Sequence, residues 1–251
     1  MGHEHKVYRS KKTLYGLKQA LRAWHSCIDS YFQSHGFSKS NSEPNLYIKV
    51  NNQGKVLIVC LYVDDLIFTG NFSIELFKST MKKEFEMTDL GLMKYFLGIE
   101  VSQTDDGIFI CQTKYKKDVL KRFNMLNCNP TSTPVATGLK LRKEDKGTKV
   151  YPSFFKILVG NLMYMTATRP NIMYAVSLIS RFMETPMDSH WLIRKMIFRY
   201  ITGTRDYGIL YSKSSDDFIL VGYTYSDFTG NIDDIKSTSG YIFHLGSGAI
   251  S

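Results

Sequence analysis

Hydrophobic positions recur along the chain with two periods, one typical of helices and one typical of strands. Apolar residues at helical spacing fill Tyr15–His35 and Ser73–Phe85, so we predict an amphipathic helix over each segment. Between them, β-prone runs at Leu46–Val50 and Val56–Tyr62 flank a Gly-containing turn, and Leu66–Thr69 follows almost at once. The pattern therefore predicts a small antiparallel sheet flanked by helices.

The rest of the chain shows both periods on either side of an aperiodic stretch. The predicted strands are Tyr95–Ser102, Ile108–Gln112, Gly208–Ser212, Phe218–Thr224 and Tyr241–Leu245, and the predicted helices are Tyr115–Phe123, Ser153–Thr166, Asn171–Met183 and Ser189–Thr202. From Asn129 to Gly147, prolines and mixed charges replace any period, which predicts a linker and the main domain boundary. Helices and antiparallel strands in this order predict an α+β fold.

Two adjacent aspartates occupy the connection between two predicted strands. Only Val63, Asp64 and Asp65 separate the run ending at Tyr62 from the next strand, so we expect the carboxylates at a tight, buried turn. Neighbouring buried carboxylates repel each other, and either a bound cation or protonation of one of them relieves that repulsion. Carboxylate oxygens suit Mg²⁺, which phosphoryl-transfer enzymes use in pairs. From the residues alone, a polar hairpin turn exposed to water accounts for the pair at least as well.

Composition and charge indicate a globular protein with an excess of basic residues. Hydrophobic residues make up 43% of the 251 residues, which is ample for a buried core. The 32 Lys and Arg against 23 Asp and Glu give a formal charge of +9, which favours polyanionic partners such as nucleic acid or an anionic membrane. Because the basic residues are scattered along the chain, solubility alone is the other explanation.

Nothing in the sequence points to secretion or to membrane insertion. The opening segment is too polar for a signal peptide, and the most apolar run, Val56–Val63, is far shorter than the ~20 residues that cross a bilayer. The four cysteines have no CxxC pair and no metal-ligand spacing, so reduced thiols are expected. We therefore expect an intracellular protein, cytoplasmic or nuclear, with no membrane partner.

The residues around the aspartate pair carry a family resemblance. The string Leu61-Tyr62-Val63-Asp64-Asp65 resembles the Tyr-x-Asp-Asp signature of reverse transcriptases. Further segments resemble Ty1/copia-type retrotransposon Pol polyproteins in the same order: Leu14–Ala20, Arg22–Trp24, Phe85–Gly91, Tyr95–Val101, Ser132–Pro134, Leu162–Tyr164, Thr168–Pro170, Arg199–Ile201 and Lys236–Tyr241. The resemblance covers nearly the whole chain and implies a reverse transcriptase domain followed by the start of a ribonuclease H domain.

The resemblance assigns roles to the aspartate pair and its neighbour. Asp64 and Asp65 match the catalytic metal ligands of the polymerase palm, with Mg²⁺ as the cofactor. Tyr62 would lie against the end of the primer. An RNA template and a DNA primer are the implied partners, and the oligomeric state is left open.

The first predicted helix resembles the family segment that positions nucleotide and template. Lys18, Gln19 and Arg22 match that segment, and the two basic side chains would face phosphates. The sequence departs from the family where Leu21 replaces a proline and His25 replaces a tyrosine. For the nearby tryptophan of Arg22–Trp24, a core anchor is the better prediction than a contact role.

By resemblance the chain has three parts. Residues 1–136 would form a partial reverse transcriptase with palm and thumb-like parts, 137–217 a linker and helical connection, and 218–251 the truncated start of a ribonuclease H-like domain. The hairpin at Tyr95–Gln112 resembles the primer grip, although alternating apolar residues suit any half-buried strand equally well. The lysines of the helix before it could contact phosphates or form a solvated face.

Two departures from the family predict lost activity. The palm also uses an aspartate from a segment upstream of Leu14–Ala20, and only Met1–Lys12 precedes that helix here, so we expect an incomplete, inactive polymerase site. In the ribonuclease H segment Tyr225 replaces the first acid and only the vestigial Asp227 matches, so RNA hydrolysis is not expected. The alternatives are a non-catalytic nucleic-acid-binding remnant and a reading frame without a stable product.

Overall fold

The computed structural model describes residues 20–143, 147–213, 219–226, 230, 232–233, 235 and 237–250. The chain divides into two compact units, Met1–Gly91 and Leu92–Ser251. Each unit has its own hydrophobic core. Helices and three antiparallel sheets in the described residues confirm the predicted α+β class.

The first unit packs two helices against a four-stranded antiparallel sheet. Its elements are α1 (Ala20–Ser34), β1 (Ser38–Lys39), β2 (Leu46–Val50), β3 (Val56–Tyr62), β4 (Asp65–Gly70) and α2 (Ile74–Phe85), with sheet order β1-β2-β3-β4. Alternate residues of β3, Leu57, Val59 and Leu61, are buried, as a strand with one covered face requires. They share a core cluster with Ile28 and Phe32 of α1, so the buried face of β3 packs against that helix.

The second unit combines two antiparallel sheets with four helices. Its strands are β5 (Tyr95–Phe96), β6 (Ile99–Thr104), β7 (Gly107–Cys111), β8 (Ile209–Ser212), β9 (Leu220–Ser226), β10 (Ser239–Leu245) and β11 (Gly248–Ala249). Its helices are α3 (Thr113–Arg122), α4 (Pro152–Met165), α5 (Met173–Ser180) and α6 (Asp188–Gly203), with short 3₁₀ turns at Thr166–Thr168 and Pro170–Ile172. The sheets run β5-β6-β7-β8 and β11-β10-β9. The helices enclose the larger core, in which Phe155, Leu162 and Ile197 are fully buried.

Most predicted elements exist with ends shifted by a few residues, but the predicted strand Tyr95–Ser102 is wrong in its middle. Leu97 and Gly98 have φ values of 47° and 79° and reverse the chain, so β5 and β6 pair with each other. Leu97 is consequently exposed and shares no strand face with Val101. Because apolar alternation continues through the turn, period alone could not reveal it. The predicted helix start at Tyr15 lies outside the described residues.

The predicted linker packs against the helical core. Val135 and Leu139 contact the core of the second unit, and Leu141 is buried in it. Isolated apolar residues anchor this stretch without any period, which is why the pattern favoured a linker. The compact units divide at Gly91, whereas the division by family segment after residue 136 stays a prediction.

Two basic side chains, Lys116 of α3 and Arg169 before α5, lie inside the second unit and are each 1% exposed. We call them the buried cation pair. The Lys116 ammonium donates to the backbone carbonyls of Arg205 and Tyr207. The Arg169 guanidinium donates to the carbonyl of Thr204 at 2.9 Å and to its hydroxyl at 2.6 Å. Both cations therefore hold the loop that follows α6.

The buried cation pair has no ion pair with a carboxylate among the described residues. Burial lowers the pKa of Lys116, and the positive charge of Arg169 lowers it further. The Arg169 guanidinium lies 5.7 Å and 5.4 Å from the ring centroids of Tyr200 and Tyr207. Carbonyl oxygens and aromatic faces thus offset much of the positive charge, while Asp206 and Glu100 act on Lys116 from beyond ion-pair distance.

The cysteines and the helices of the structure can each be compared with what the sequence predicts about thiols and membrane spans. All four cysteines are free, from the exposed Cys27 to the buried Cys111. This agrees with the reduced thiols that their spacing predicts. Within the part of the chain that the structure describes, no helix has both the length and the apolar character needed to cross a bilayer.

Candidate active site

The aspartate pair lies at the end of the β3–β4 hairpin, in a segment that we call the acid turn (Tyr62–Asp65). Tyr62 and Asp65 form the last cross-strand pair, so Val63 and Asp64 are the two connecting residues. Val63 has a φ of 54°, whereas Asp64 is not among the residues with positive φ. A type II′ turn has this pattern and favours glycine at its first connecting position. A β-branched residue there carries strain of about 1–2 kcal/mol.

The acid turn is open to solvent, so the predicted burial is wrong. The last buried residue of β3 is Leu61; Tyr62 is 44% and Val63 is 50% exposed, and both aspartates are exposed. The hairpin ends beyond the core, which the short apolar runs on either side did not indicate. Water therefore screens the two carboxylates, and desolvation does not force a cation on them. A metal site here rests on ligand chemistry instead.

A long-range hydrogen bond connects the acid turn to α1. The Trp24 indole Nε1–H donates to the backbone carbonyl of Val63 over 2.8 Å. The Trp24 ring packs against the first core and meets Phe85 edge-on, with centroids 5.4 Å apart. The predicted core anchor is confirmed, but the sequence did not identify the hydrogen bond. The available signal was that a packed indole needs an acceptor for its N–H.

Of the residues matched to the nucleotide and template segment, the structure describes only Arg22. Arg22 is exposed in α1, two residues before Trp24. Lys18 and Gln19 lie outside the described residues, so the grouping of these three side chains stays a prediction. Leu21, where the resemblance predicted a departure from the family pattern, is exposed within the same regular helix.

The lysines of α2 are partly engaged in ion pairs. The Lys78 Nζ lies 3.2 Å from Glu75 Oε1 and 3.5 Å from Asp89 Oδ2, and the Lys82 Nζ lies 3.9 Å from the same Asp89 oxygen. The hydrogen bond to Glu75 raises the pKa of Lys78, and Asp89 adds to the effect. These contacts favour the solvated charged face over a phosphate site.

Two features of the second unit correspond to other predicted family roles. A Cβ at Gly98 would come within 2.9 Å of the Tyr164 hydroxyl, so the β5–β6 turn lies close against α4. The primer-grip role of this hairpin stays a prediction. In β9, the ring of Tyr225 meets that of Tyr174 edge-on at 5.8 Å. Asp227 lies outside the described residues, so the structure does not place a second ribonuclease H acid beside Tyr225.

Asp64 and Asp65 are residues that could hold a metal ion. Mg²⁺ is commonly bound by one or two carboxylates, while water and phosphate oxygens complete its octahedron. Two adjacent, solvent-exposed carboxylates fit that mode for one ion. Among the described residues, no group of three or more His, Cys, Asp or Glu side chains comes together as a metal site. The donor set therefore fits a cation shared with a substrate better than an enclosed structural ion.

Comparison with known proteins agrees with the motif in the acid turn. The family described as Reverse transcriptase (RNA-dependent DNA polymerase) matches residues 1–137. The Retrovirus-related Pol polyprotein from transposon TNT 1-94 of Nicotiana tabacum is 40% identical, over 100% of this chain and 20% of its own. That from transposon RE2 of Arabidopsis thaliana is 38% identical, over 98% of this chain and 17% of its own. An uncharacterized mitochondrial protein of Arabidopsis thaliana is 36% identical, over 78% of this chain and 81% of its own. No solved structure gives a significant match.

The chain belongs to the reverse transcriptase (RNA-dependent DNA polymerase) family, in the form carried by Ty1/copia-type retrotransposon Pol polyproteins. The family implies nucleic-acid substrates and divalent metal ions. The chain spans about a fifth of the length of the Pol polyproteins that it matches.

Proposed function

We propose that the chain contributes part of the palm of an RNA-directed DNA polymerase, in which Asp64 and Asp65 bind Mg²⁺. The observation that carries the proposal is the acid turn, where two exposed carboxylates follow Tyr62 within the segment that matches the family. An RNA template and a DNA primer are the partners under this proposal. Arg22, exposed on the helix that holds the turn, would contact a backbone phosphate.

The proposed chemistry divides between the ion and the chain. A bound divalent cation would polarise phosphate oxygens and favour ionisation of the attacking hydroxyl. The chain's part is to hold Asp64 and Asp65 side by side at a fixed bend. Solvent exposure of the acid turn leaves room for nucleotide and primer oxygens to complete the ligand set, with Tyr62 against the primer end.

Manganese binding tests the metal site. We expect the 251-residue chain to bind Mn²⁺ and to quench the spectrum of the free ion in electron paramagnetic resonance. Asp64→Asn and Asp65→Asn should each weaken binding by about tenfold or more, since each removes a charged ligand. Equal binding by wild type and both variants would contradict the proposed site.

The chain offers a matched control for this experiment. Asp105 and Asp106 are also adjacent, exposed aspartates, and they connect β6 to β7 in a second hairpin. They lack the family motif and a positive φ. Asp105→Asn should therefore change Mn²⁺ affinity by less than about twofold. A loss equal to that of Asp64→Asn would mean that any adjacent pair at a hairpin suffices.

Primer extension tests the reaction itself. On a poly-rA template with an oligo-dT primer, DNA synthesis by a polypeptide that includes this chain should fall by orders of magnitude with Asp64→Asn. The inactivity that the sequence predicts for the isolated chain is tested in the same assay. Robust, Asp64-dependent synthesis by the 251 residues alone would contradict that prediction.

The second candidate function is nucleic-acid binding without catalysis, which the formal charge of +9 favours. It predicts retention of RNA or DNA at low salt, with affinity falling steeply as salt rises, and the same retention in Asp64→Asn. Failure to retain either nucleic acid at low salt would exclude it. An intracellular compartment is part of both proposals, and the four free cysteines support it.

A further inference from the structure

We propose that Trp24 is a positioning residue for the acid turn, acting through its indole N–H on the Val63 carbonyl. The inference rests on the proposed function, in which Asp64 and Asp65 bind a divalent cation. It adds a residue whose role is to fix the bend from which both carboxylates project.

The Val63 carbonyl is the point where the turn needs support. The cross-strand pairs of β3 and β4 end at Tyr62 and Asp65, so the two connecting residues lie beyond the ladder. Val63 also has the φ of 54° that a β-branched residue rarely adopts. A strained conformation persists only when its surroundings hold it. The 2.8 Å hydrogen bond from Trp24, 39 residues away in sequence, supplies such a hold.

The direction of the indole N–H is itself fixed by packing. Phe85 meets the Trp24 ring at an interplanar angle of 89°, and Tyr31 meets the same Phe85 at 86°. Trp24 lies one helical turn before Ile28, which is fully buried. The donor therefore sits on a rigid helix whose core face anchors the ring. Removing a group that hydrogen-bonds a metal ligand directly commonly changes metal affinity by about 10–100-fold. Because Trp24 bonds the carbonyl of the residue before Asp64, we expect an effect at the low end of that range.

A purely structural tryptophan would give the same packing without any effect on the turn. In that case the carbonyl of Val63 only satisfies the indole N–H, and the turn would keep its conformation without it. Trp24→Phe separates the two roles, because phenylalanine keeps an aromatic ring beside Phe85 and removes the donor. Val63→Gly removes the backbone strain at this position, since glycine adopts positive φ without steric cost.

The experiment measures Mn²⁺ binding and turn geometry in the full 251-residue chain. We expect Trp24→Phe to raise the Mn²⁺ Kd by about tenfold while the fold, followed by circular dichroism, is kept. The double variant Trp24→Phe with Val63→Gly should return to within about threefold of wild type. Trp191→Phe, at the other tryptophan, should leave the Kd unchanged. Wild-type affinity in Trp24→Phe would overturn the proposal.

A second readout does not depend on metal. The three-bond amide–Hα coupling of Val63, measured by NMR without added ions, reports its φ. We expect the coupling to change in Trp24→Phe and to stay constant in Trp191→Phe. If wild type fails to bind Mn²⁺, the proposed function fails, and the coupling alone then decides the positioning role. An unchanged coupling in Trp24→Phe would overturn that role as well.

Discussion

The acid turn and the buried cation pair place like charges next to each other in opposite environments. In the first unit, Asp64 and Asp65 stand in water on a strained bend. In the second unit, Lys116 and Arg169 are excluded from water and donate to carbonyl and hydroxyl oxygens. Water screens the repulsion in the first case, and polar backbone offsets desolvation in the second.

The difference contrasts two charges that we propose serve metal binding with two charges that hold the fold together. Strain at Val63 gives no stability to the hairpin, and together with the family motif in the same turn it supports the proposed role in metal binding. The buried cation pair does the reverse, because its hydrogen bonds hold the loop after α6 to α3 and to the segment before α5. Substitutions in the two places should therefore have effects of different size and kind.

The largest effect is expected at Arg169. Arg169→Ala removes the donors to Thr204 and Asn171 and opens a cavity beside the rings of Tyr200 and Tyr207. We expect the free energy of unfolding to fall by about 3–4 kcal/mol in urea denaturation followed by circular dichroism. Lys195→Ala, exposed on α6, is the control and should change it by less than about 0.5 kcal/mol. A loss below about 1 kcal/mol for Arg169→Ala would remove the contrast between the two regions.

Lys116 should show an intermediate effect that depends on pH. Lys116→Met leaves the carbonyls of Arg205 and Tyr207 without their donor, at a cost of about 1–2 kcal/mol near pH 7. Because burial lowers the pKa of Lys116 in the folded state, the unfolded state binds more protons between that pKa and 10.5. Wild type should therefore gain stability relative to the variant as pH rises through that window.

Urea midpoints of wild type and Lys116→Met between pH 7 and pH 10 measure this difference. A widening gap is the expected outcome. A gap that stays constant or narrows would mean that the Lys116 ammonium is not destabilised by burial, and the buried cation pair would then resemble ordinary surface charge.

The sequence predicted much of the fold because the relevant signals are local. Apolar period placed α2, α4 and α6 within a few residues of their ends, and the β3–β4 hairpin followed from two apolar runs. The prediction failed where a turn interrupts an alternating pattern, as at Leu97. The spacing of apolar residues carries no information on the backbone φ angle. The same limit applies to the stretch before α4, which Leu141 anchors without repetition.

The motif predicted which residues form the candidate site, but it did not predict their solvent exposure or their hydrogen bonds. The string Tyr62–Asp65 identified the acid turn by resemblance, but its solvent exposure depends on where the core ends in three dimensions. The bond from Trp24 to Val63 joins residues 39 apart, and no local pattern encodes it. Lys116 and Arg169 look like any other basic residues in sequence, because burial of a charge is a tertiary property.

The smallest effect on stability is expected at Asp64, one of the two proposed metal ligands. The Asp64 side chain is exposed and accepts no hydrogen bond from a described residue, and among these residues the change made by Asp64→Asn is the loss of its repulsion of Asp65. We expect the free energy of unfolding to rise slightly, by less than about 0.5 kcal/mol, in the same urea assay. Asp105→Asn in the second hairpin should give a change of similar size. A loss of more than about 1 kcal/mol at Asp64 would show that the acid turn stabilises the fold, and the contrast with the buried cation pair would then disappear.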